Sequence, residues 1–141
     1  MTSVFAVPSH KIDEWWDELK PHLERFHLET QRTDAETIRR QAKALERQLW
    51  AVSDRLRVTG VLVTELYETH SGRVCWIWAT AGSESEPGDM EKVYLEIEKW
   101  ARAVKCVSIG INGRKGWLRV LPGFKQTAVV IEKDLRDVSE H

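Results

Sequence analysis

The spacing of apolar residues predicts two helices in the first third of the chain. One apolar stripe at helical spacing runs through 10–27 and consists of Ile12, Trp15, Trp16, Leu19, Leu23 and Phe26. Pro21 lies inside this stripe and is expected to kink or split the helix, because proline has no backbone N–H to donate. The segment TDAE, from Thr33 to Glu36, is a capping-box pattern that predicts a second helix over 34–47. The charged sides of that helix carry Arg39, Arg40, Lys43 and Arg47.

After the second helix the pattern changes to runs of β-branched and aromatic residues. QLWAVSD, RVTGVLVTELYETH and VCWIWATA read as strands, the last two joined as an antiparallel hairpin. A third amphipathic helix is predicted over 90–103, with Asp89 as its cap. KCVSIGI then reads as a strand, GRKGWLRVL as a small helix and KQTAVVIEKDL as the last strand. This order predicts an α/β domain with a mixed, mostly antiparallel sheet and helices on both faces.

The totals fit one domain and exclude several classes of protein. A chain of 141 residues, 42% of them hydrophobic, is the size of one domain with a core. We expect that domain to span 1–135, with 10–33 as the N-terminal helix and its connection and 136–141 as a polar tail. The net charge of -1 gives no reason to expect nucleic-acid binding, and basic residues are interleaved with acidic ones. No apolar run approaches the roughly 20 residues of a membrane span.

The cysteines and histidines predict neither a disulfide framework nor a metal site. Cys75 and Cys106 are too few for either, and we interpret Cys75 as a small apolar residue in a buried strand. The five histidines have no spacing typical of metal ligands. The first residues lack the basic and apolar segments of a secretory signal, so we expect a cytoplasmic protein.

The stretch NGRKGWLRVLPGFKQ, 112–126, is glycine-rich, basic and aromatic at once. Its glycines allow turns around a short helix, and Trp117 and Leu121 lie four residues apart on one face of that helix. Arg114 and Lys115 then lie where the chain leaves the C-terminal end of a strand, which is a usual ligand position in α/β sheets.

The segment from Trp117 to Leu135 also carries a resemblance to a known family. A short helix, then Leu121, Gly123 and Phe124 in a Leu-x-Gly-Phe signal, then a last strand resemble the end of the GNAT acyl-CoA acetyltransferase fold. The likeness covers about 34–135, with a lost or short first strand before the two helices. The chain also resembles short GNAT-like proteins of tailed phages and prophages. The resemblance implies acetyl-CoA as acetyl donor and an amine acceptor of unknown identity.

In the GNAT family the turn after the central strand binds the pyrophosphate of acetyl-CoA through backbone N–H groups at a helix N-terminus. The corresponding positions here are Ala79, Ala81, Gly82 and Ser83. The same turn carries four acidic residues and no basic one: Glu84, Glu86, Asp89 and Glu91. The missing positive charge would have to come from Arg114, Lys115 or Arg119.

Arg119 occupies the position at which many family members carry a tyrosine that protonates the leaving thiolate. Arginine does not act as an acid near neutral pH, but it can stabilise a thiolate or bind a phosphate. Two functions therefore stay open: acetyl transfer to an amine, or a non-catalytic GNAT fold that serves as a protein-binding or virion-assembly module. The partner is an unknown amine or protein, and a homodimer is also left open.

Acetyl transfer to an amine needs a general base, and the long strand offers Glu65 and Glu68. Glu65 lies in an apolar stretch, where desolvation favours proton uptake. The alternative is a structural carboxylate paired with Arg73 or Lys125.

The tryptophans of the predicted strands and third helix are expected to pack in the core. Trp76 and Trp78 share one face of their strand, where stacking of a base is the alternative to core packing. We expect four tryptophans to be largely buried: Trp50, Trp76, Trp78 and Trp100.

Overall fold

A computed structural model describes residues 2–30, 34–54, 57–81 and 87–111, together with Lys133 and Leu135. The strands are β1 (Thr2–Ala6), β2 (Gln48–Asp54), β3 (Arg57–Thr69), β4 (Gly72–Ala81) and β5 (Cys106–Ile111). The helices are α1 (Ile12–Thr30), α2 (Ala35–Lys43) and α3 (Pro87–Ala103), with a 3-10 turn at Ser9–Lys11 before α1. The predicted small helix and last strand fall outside the described residues.

The five described strands form one sheet in the order β1-β2-β3-β4-β5. Neighbours from β1 to β4 are antiparallel, whereas β4 and β5 are parallel and are connected through α3. The predicted hairpin is confirmed as β3 and β4, with its turn at His70 and Ser71. Gly72 closes that turn at a φ of +128°, a conformation that favours glycine. The predicted mixed, mostly antiparallel α/β sheet is therefore correct.

Each face of the sheet carries its own apolar core, as the prediction of helices on both faces requires. On one face α1 and α2 pack on the sheet with Ile12, Trp16, Leu19, Leu23, Ile38, Leu49, Val61 and Val63. On the other face α3 packs with Trp50, Val52, Leu62, Cys75, Ile77, Val93 and Ile97. Side chains of β3 alternate between the two cores, which is the period of a strand. Within the described part of the chain, no helix has both the length and the apolarity needed to cross a membrane.

The order predicted from the residues began with a helix, whereas the resemblance implied a lost or short first strand; the structure has the short strand, β1. The segment TSVFA is only five residues long and pairs along β2, from Thr2 opposite Asp54 to Ala6 opposite Trp50. So short a run has no periodicity of its own, and its place is fixed by pairing with a longer neighbour.

Helix α1 differs from its prediction at both ends, and it is not split at its proline. It begins at Ile12 and ends at Thr30, instead of covering 10–27, and it passes through Pro21 as one helix. Leu19 and Leu23, on either side of the proline, are both completely buried. We attribute the unbroken helix to this packing, which offsets the hydrogen bond that the proline cannot make.

Helix α2 is shorter than predicted and has a different cap. Asp34, and not Thr33, is the N-cap, since its Oδ1 accepts a 2.7 Å hydrogen bond from the Thr37 backbone N–H. An acidic side chain thus replaces the expected hydroxyl, as cap preferences allow. Thr33 itself lies outside the described residues. The helix ends at Lys43, so Arg47 is not on its surface as predicted.

Helix α3 begins three residues before the predicted start, at Pro87. Proline suits the first position of a helix because that N–H has no partner within the helix. Asp89 consequently lies inside the first turn and is not the cap.

The burial prediction for the tryptophans holds in part. Trp50 is buried, with 5% of its surface exposed, whereas Trp76 and Trp100 are half-buried. Trp100 packs edge-on against Trp50 at 5.2 Å between ring centroids. The side chain of Trp78 is not among the described side chains.

Candidate active site

One row of residues crosses the sheet on the face that carries α1 and α2. Glu65 of β3 lies directly opposite Trp76 of β4, and Trp76 lies beside Gly110 of β5. The face follows from strand alternation, because Val61 and Val63 belong to the core under α1 and α2 and Glu65 is the next residue with the same orientation. A fourth member, Arg47, immediately precedes β2 and contacts Glu65.

Arg47 and Glu65 form a largely buried ion pair. The Arg47 Nε–H donates to Glu65 Oε2 at 3.2 Å, and the side chains are 14% and 22% exposed. In such a partly dry setting a charge pair is screened less by salt than a surface pair is. The sequence-based alternative had Glu65 paired with Arg73 or Lys125. Arg73 bonds to Glu68, the described contact of Glu65 is with Arg47, and Lys125 lies outside the described residues.

The turn that follows α2 brings Arg47 to this position. The Glu46 N–H donates to Gln41 O at 2.8 Å and the Leu45 N–H donates to Ala42 O at 3.2 Å, which is the pattern of a Schellman motif. Leu45 takes the left-handed conformation usually given to glycine, with a φ of 63°. The chain therefore reverses sharply and enters β2 with Arg47 level with Glu65.

Trp76 lies over a glycine, and its ring occupies the space that a side chain at position 110 would need. A Cβ added to Gly110 would sit 2.3 Å from Cζ3 and 2.4 Å from Cε3 of the Trp76 ring. Any residue other than glycine at 110 would therefore push the indole away. The ring leans towards β5, while the carboxylate opposite it leans towards Arg47 on the other side.

A β-bulge in β4 follows this row directly. Pairing with β3 shifts between Val63, opposite Ala79, and Thr64, opposite Ile77, so that Trp78 is the extra residue. Among the described pairs, the ladder between β4 and β5 ends at Ile77 and Ile111. Beyond the bulge β4 continues along β3 alone in the described part, and Ala81 pairs with Val61. The row thus lies at the end of the described pairing between the two parallel strands.

The predicted donor-site residues are only partly described. Ala79 and Ala81 lie in the β4 segment after the bulge, two residues apart on the backbone. Five other predicted residues fall outside the described part: Gly82, Ser83, Arg114, Lys115 and Arg119.

Glu68 does not join the row. It lies three residues from Glu65, about 10 Å along the strand, and points to the opposite face. Its Oε1 accepts a 2.5 Å hydrogen bond from Arg73, whose Nη1 also donates to Val104 O at the end of α3 at 2.6 Å. Hydrogen bonding to Glu68 raises the pKa of Arg73 above its usual value. This group fastens the hairpin to α3, which is a structural role.

The cysteine thiol in the middle of β4 is unsuited to nucleophilic chemistry. Cys75 is completely buried among the residues under α3, on the face opposite the row. Burial, with a smaller contribution from Cys106, raises the pKa of the Cys75 thiol to about 12. The thiolate is therefore absent near neutral pH, in agreement with its interpretation as a core residue.

Sequence reasoning missed Arg47 and Gly110 as parts of the site. Arg47 was assigned to the surface of a helix. Gln48 pairs with Thr64, so the residue before it, Arg47, comes level with Glu65. Gly110 was treated as an ordinary strand residue, and its close approach to Trp76 follows from a strand register that the sequence does not give.

Solved structures share this fold across nearly the whole chain. An aminoglycoside acetyltransferase from an uncultured soil metagenomic sample, in complex with sisomicin, superposes with a TM-score of 0.75 at 11% identity over 96% of this chain and 97% of its own. The ribosomal-protein-alanine N-acetyltransferase of Brucella melitensis biovar Abortus 2308 gives 0.71 at 9% identity over 95% and 100%. A predicted acetyltransferase with acetyl-CoA from Clostridium acetobutylicum gives 0.65 at 12% identity over 96% and 97%.

No protein-family model matches the sequence, and no curated protein matches it either. The structural likeness therefore stands alone, and it establishes the fold: a GNAT-type α/β domain, as the sequence resemblance implied. At identities this low, the likeness says nothing about which amine a chain acts on.

Proposed function

We propose that this chain is a GNAT-type N-acetyltransferase in which Glu65 accepts a proton from the amine acceptor. The observation that carries the proposal is the position of the Glu65 carboxylate. It is largely buried, it is held by Arg47 at 3.2 Å, and it lies in the row next to the β4 bulge. A positioned carboxylate in a partly dry site is what general-base catalysis on an amine requires.

The reaction assigned to the row is the transfer of an acetyl group from a thioester to an amine. An ammonium acceptor loses one proton to Glu65 before its nitrogen can attack, and the nitrogen releases a second proton to solvent as the amide forms. The nitrogen forms a C–N bond with the acetyl carbon while the C–S bond of the thioester breaks. The electron pair of that bond leaves with the CoA thiolate, which is then protonated from solvent. Arg47 contributes by fixing one oxygen of the carboxylate, Oε2, through its Nε–H.

For the donor, we propose the segment of β4 after the bulge and the turn that follows it. The backbone of Ala79, Ala81, Gly82 and Ser83 would bind acetyl-CoA, since GNAT-type neighbours include a complex with that molecule. The acidic turn makes binding weak unless Arg114, Lys115 or Arg119 supplies positive charge. Replacing Glu84 and Glu86 together by glutamine should then tighten acetyl-CoA binding, and adding Arg114→Ala should reverse the gain. Calorimetry that detects no binding to either form at millimolar acetyl-CoA would contradict this assignment.

The matched pair Glu65→Gln and Glu68→Gln tests the base directly. Both changes remove one carboxylate from β3, but only Glu65 faces the row. With acetyl-CoA and a panel of primary amines, we expect Glu65→Gln to lower kcat by roughly 10²–10⁴-fold and Glu68→Gln to stay close to wild type. Acetylated product is measured by mass spectrometry. Equal rates for Glu65→Gln and wild type would remove Glu65 from the mechanism.

A non-catalytic binding module is the second candidate, and one observation favours it. The turn before α3 and the first turns of that helix carry Glu84, Glu86, Asp89 and Glu91, which disfavour an anion at the helix N-terminus. A thermal shift separates the two, because a ligand at 100 times its Kd stabilises by about 2.7 kcal/mol. No shift with acetyl-CoA would favour the module.

A phage origin and a location in the host cytoplasm belong to this proposal as well. They are supported by the similarity of the C-terminal segment to phage-encoded proteins and by the free thiols of Cys75 and Cys106. Detection of the chain in purified virions by mass spectrometry would favour assembly; its presence only in infected-cell lysate would favour the enzyme.

A further inference from the structure

We infer that Trp76 selects the acceptor: a primary amine with one positive charge, carried on a flat apolar group. The inference rests on the proposed acetyl transfer and gives its acceptor class. Three observations carry it: the two central side chains of the row lean in opposite directions, the Trp76 indole is half-buried outside both described cores, and Arg47 lies beside Glu65.

The first observation concerns the space over the seam between β3 and β4. Opposite residues of an antiparallel pair have Cβ atoms about 4.5–5.5 Å apart, and Glu65 and Trp76 are such a pair. The Glu65 carboxylate turns to Arg47, on the β2 side, while the Trp76 ring lies over Gly110, on the β5 side. Neither side chain therefore covers the seam between them. An amine placed there would meet a carboxylate on one side and an indole on the other.

The second observation is that Trp76 does not serve as a core residue among the described side chains. Trp50 is buried in the core under α3, and Trp15 and Trp100 pack against the edges of the two cores. Trp76 is half-buried and belongs to neither described cluster. An indole that packs over a glycine and stays partly exposed is suited to contact a ligand, since a tryptophan face binds both apolar groups and cations.

The third observation limits the charge of the acceptor. Arg47 contacts Glu65 on the side of the carboxylate away from Trp76. A second positive charge on the acceptor that reached this side would be repelled by the arginine. A single ammonium can lie on the Trp76 side of the carboxylate, with the rest of the molecule along the indole. Flat apolar monoamines therefore fit this row better than polyamines do.

The experiment compares acceptors within one enzyme sample. Acetylation of 2-phenylethylamine, ethylamine and spermidine is measured with acetyl-CoA, and kcat/KM is obtained for each amine. We expect the wild type to prefer 2-phenylethylamine over ethylamine about tenfold, as one aromatic contact allows, and over spermidine by more. The ratio of two amines in the same sample does not depend on the fraction of protein that is folded.

Four variants locate the preference. Trp76→Leu should bring the ratio of 2-phenylethylamine to ethylamine close to one, mainly through KM, whereas Trp76→Phe should keep most of it. Gly110→Ala should act like Trp76→Leu, because the added Cβ would displace the ring. Trp15→Leu is the matched control: it removes an indole packed on Phe5 at 5.6 Å, away from the row, and should leave the ratio unchanged.

The outcomes separate this inference from the proposed function. Acetylation with the same amine preference in wild type and Trp76→Leu would overturn the inference and leave the acetyltransferase standing. To cover an inactive protein, binding of 2-phenylethylamine is followed by the NMR signal of the Trp76 indole N–H, assigned with Trp76→Phe. A shift of that signal without acetylation of any amine would overturn the proposed function and keep the site. No shift would overturn the inference.

Discussion

The indole Nε1–H of Trp50 donates a 3.0 Å hydrogen bond to Thr64 Oγ1, and that hydroxyl donates to Gln48 Oε1 at 2.9 Å. Both Trp50 and Thr64 are buried, so this chain satisfies polar atoms inside the core under α3. Thr64→Val keeps the shape of the side chain but removes the acceptor of the indole N–H. We expect a loss of about 1–3 kcal/mol in the free energy of unfolding, measured with urea.

Thr59→Val is the control for this change. Its hydroxyl donates a longer 3.3 Å bond to Val52 O and lies in a half-buried position. We expect a loss of about 1 kcal/mol or less there. If both variants lost the same free energy of unfolding, the Trp50–Thr64 hydrogen bond would contribute no more to stability than the Thr59 bond does.

The turn after α2 should become more stable with glycine at position 45. Leu45 has a φ of 63° and is 74% exposed, so its side chain contributes little packing while its backbone is strained. We expect Leu45→Gly to raise the free energy of unfolding by about 0.5–1 kcal/mol. Ala44→Gly, one residue earlier at a φ of -84°, should bring no gain. A loss of stability in Leu45→Gly would mean that the leucine side chain makes a contact worth more than the strain.

The long periodic segments are the part of the fold that the sequence predicted. The hairpin of β3 and β4 and the existence of all three helices follow from patterns of ten or more residues, where periodicity decides. The errors lie at ends and short elements. Thr33 and Asp34 are both good caps, and only the backbone geometry of the folded chain selects Asp34. The five residues of β1 depend on pairing with β2, which no local pattern reports.

For the site, the sequence indicated Glu65 but not its surroundings, and it placed Trp76 in the core with stacking of a base as the alternative. Glu65 stood out as a carboxylate in an apolar stretch, and its face followed from strand alternation. Its contact with Arg47 depends on the turn at Leu45, which has a left-handed backbone conformation. That position has no glycine from which the turn could be predicted. Gly110 approaches Trp76 because of the register between the parallel strands β4 and β5. The two residues are 34 positions apart in the sequence, and their strands are connected through α3. Such long-range registers are set by the whole sheet.

The contact between α1 and α2 should weaken in acid. Asp13 Oδ1 accepts from Arg39 at 2.6 Å and Oδ2 accepts from Lys43 at 2.7 Å, and these bonds, Lys43 first, lower the pKa of Asp13 below its usual 3.8. A lowered pKa stabilises the fold above 3.8, and that contribution is lost as the pH falls through the folded-state pKa. Between neutral pH and about pH 3, the melting temperature of the wild type should fall further than that of Asp13→Asn. Asp17→Asn, one turn along α1, is the control; parallel melting curves for wild type and Asp13→Asn would contradict the assignment.

Alkaline unfolding should reveal the buried thiol of Cys75. Burial raises its pKa from 9.0 to about 12, so the unfolded chain loses this proton at a lower pH than the folded chain does. The stabilisation is therefore complete below about pH 9 and is lost as the pH rises towards about 12. From about pH 8 to about pH 10.5, the free energy of unfolding should fall by about 1–2 kcal/mol more in the wild type than in Cys75→Ala. The cavity left by alanine lowers stability equally at both pH values, so only the change with pH is compared.

Cys106→Ala is the control. Burial also raises the pKa of this half-buried thiol, and the variant should reduce the fall in stability less than Cys75→Ala does. Equal falls in the wild type and in Cys75→Ala would show that the Cys75 thiol ionises as readily in the folded chain as in the unfolded one.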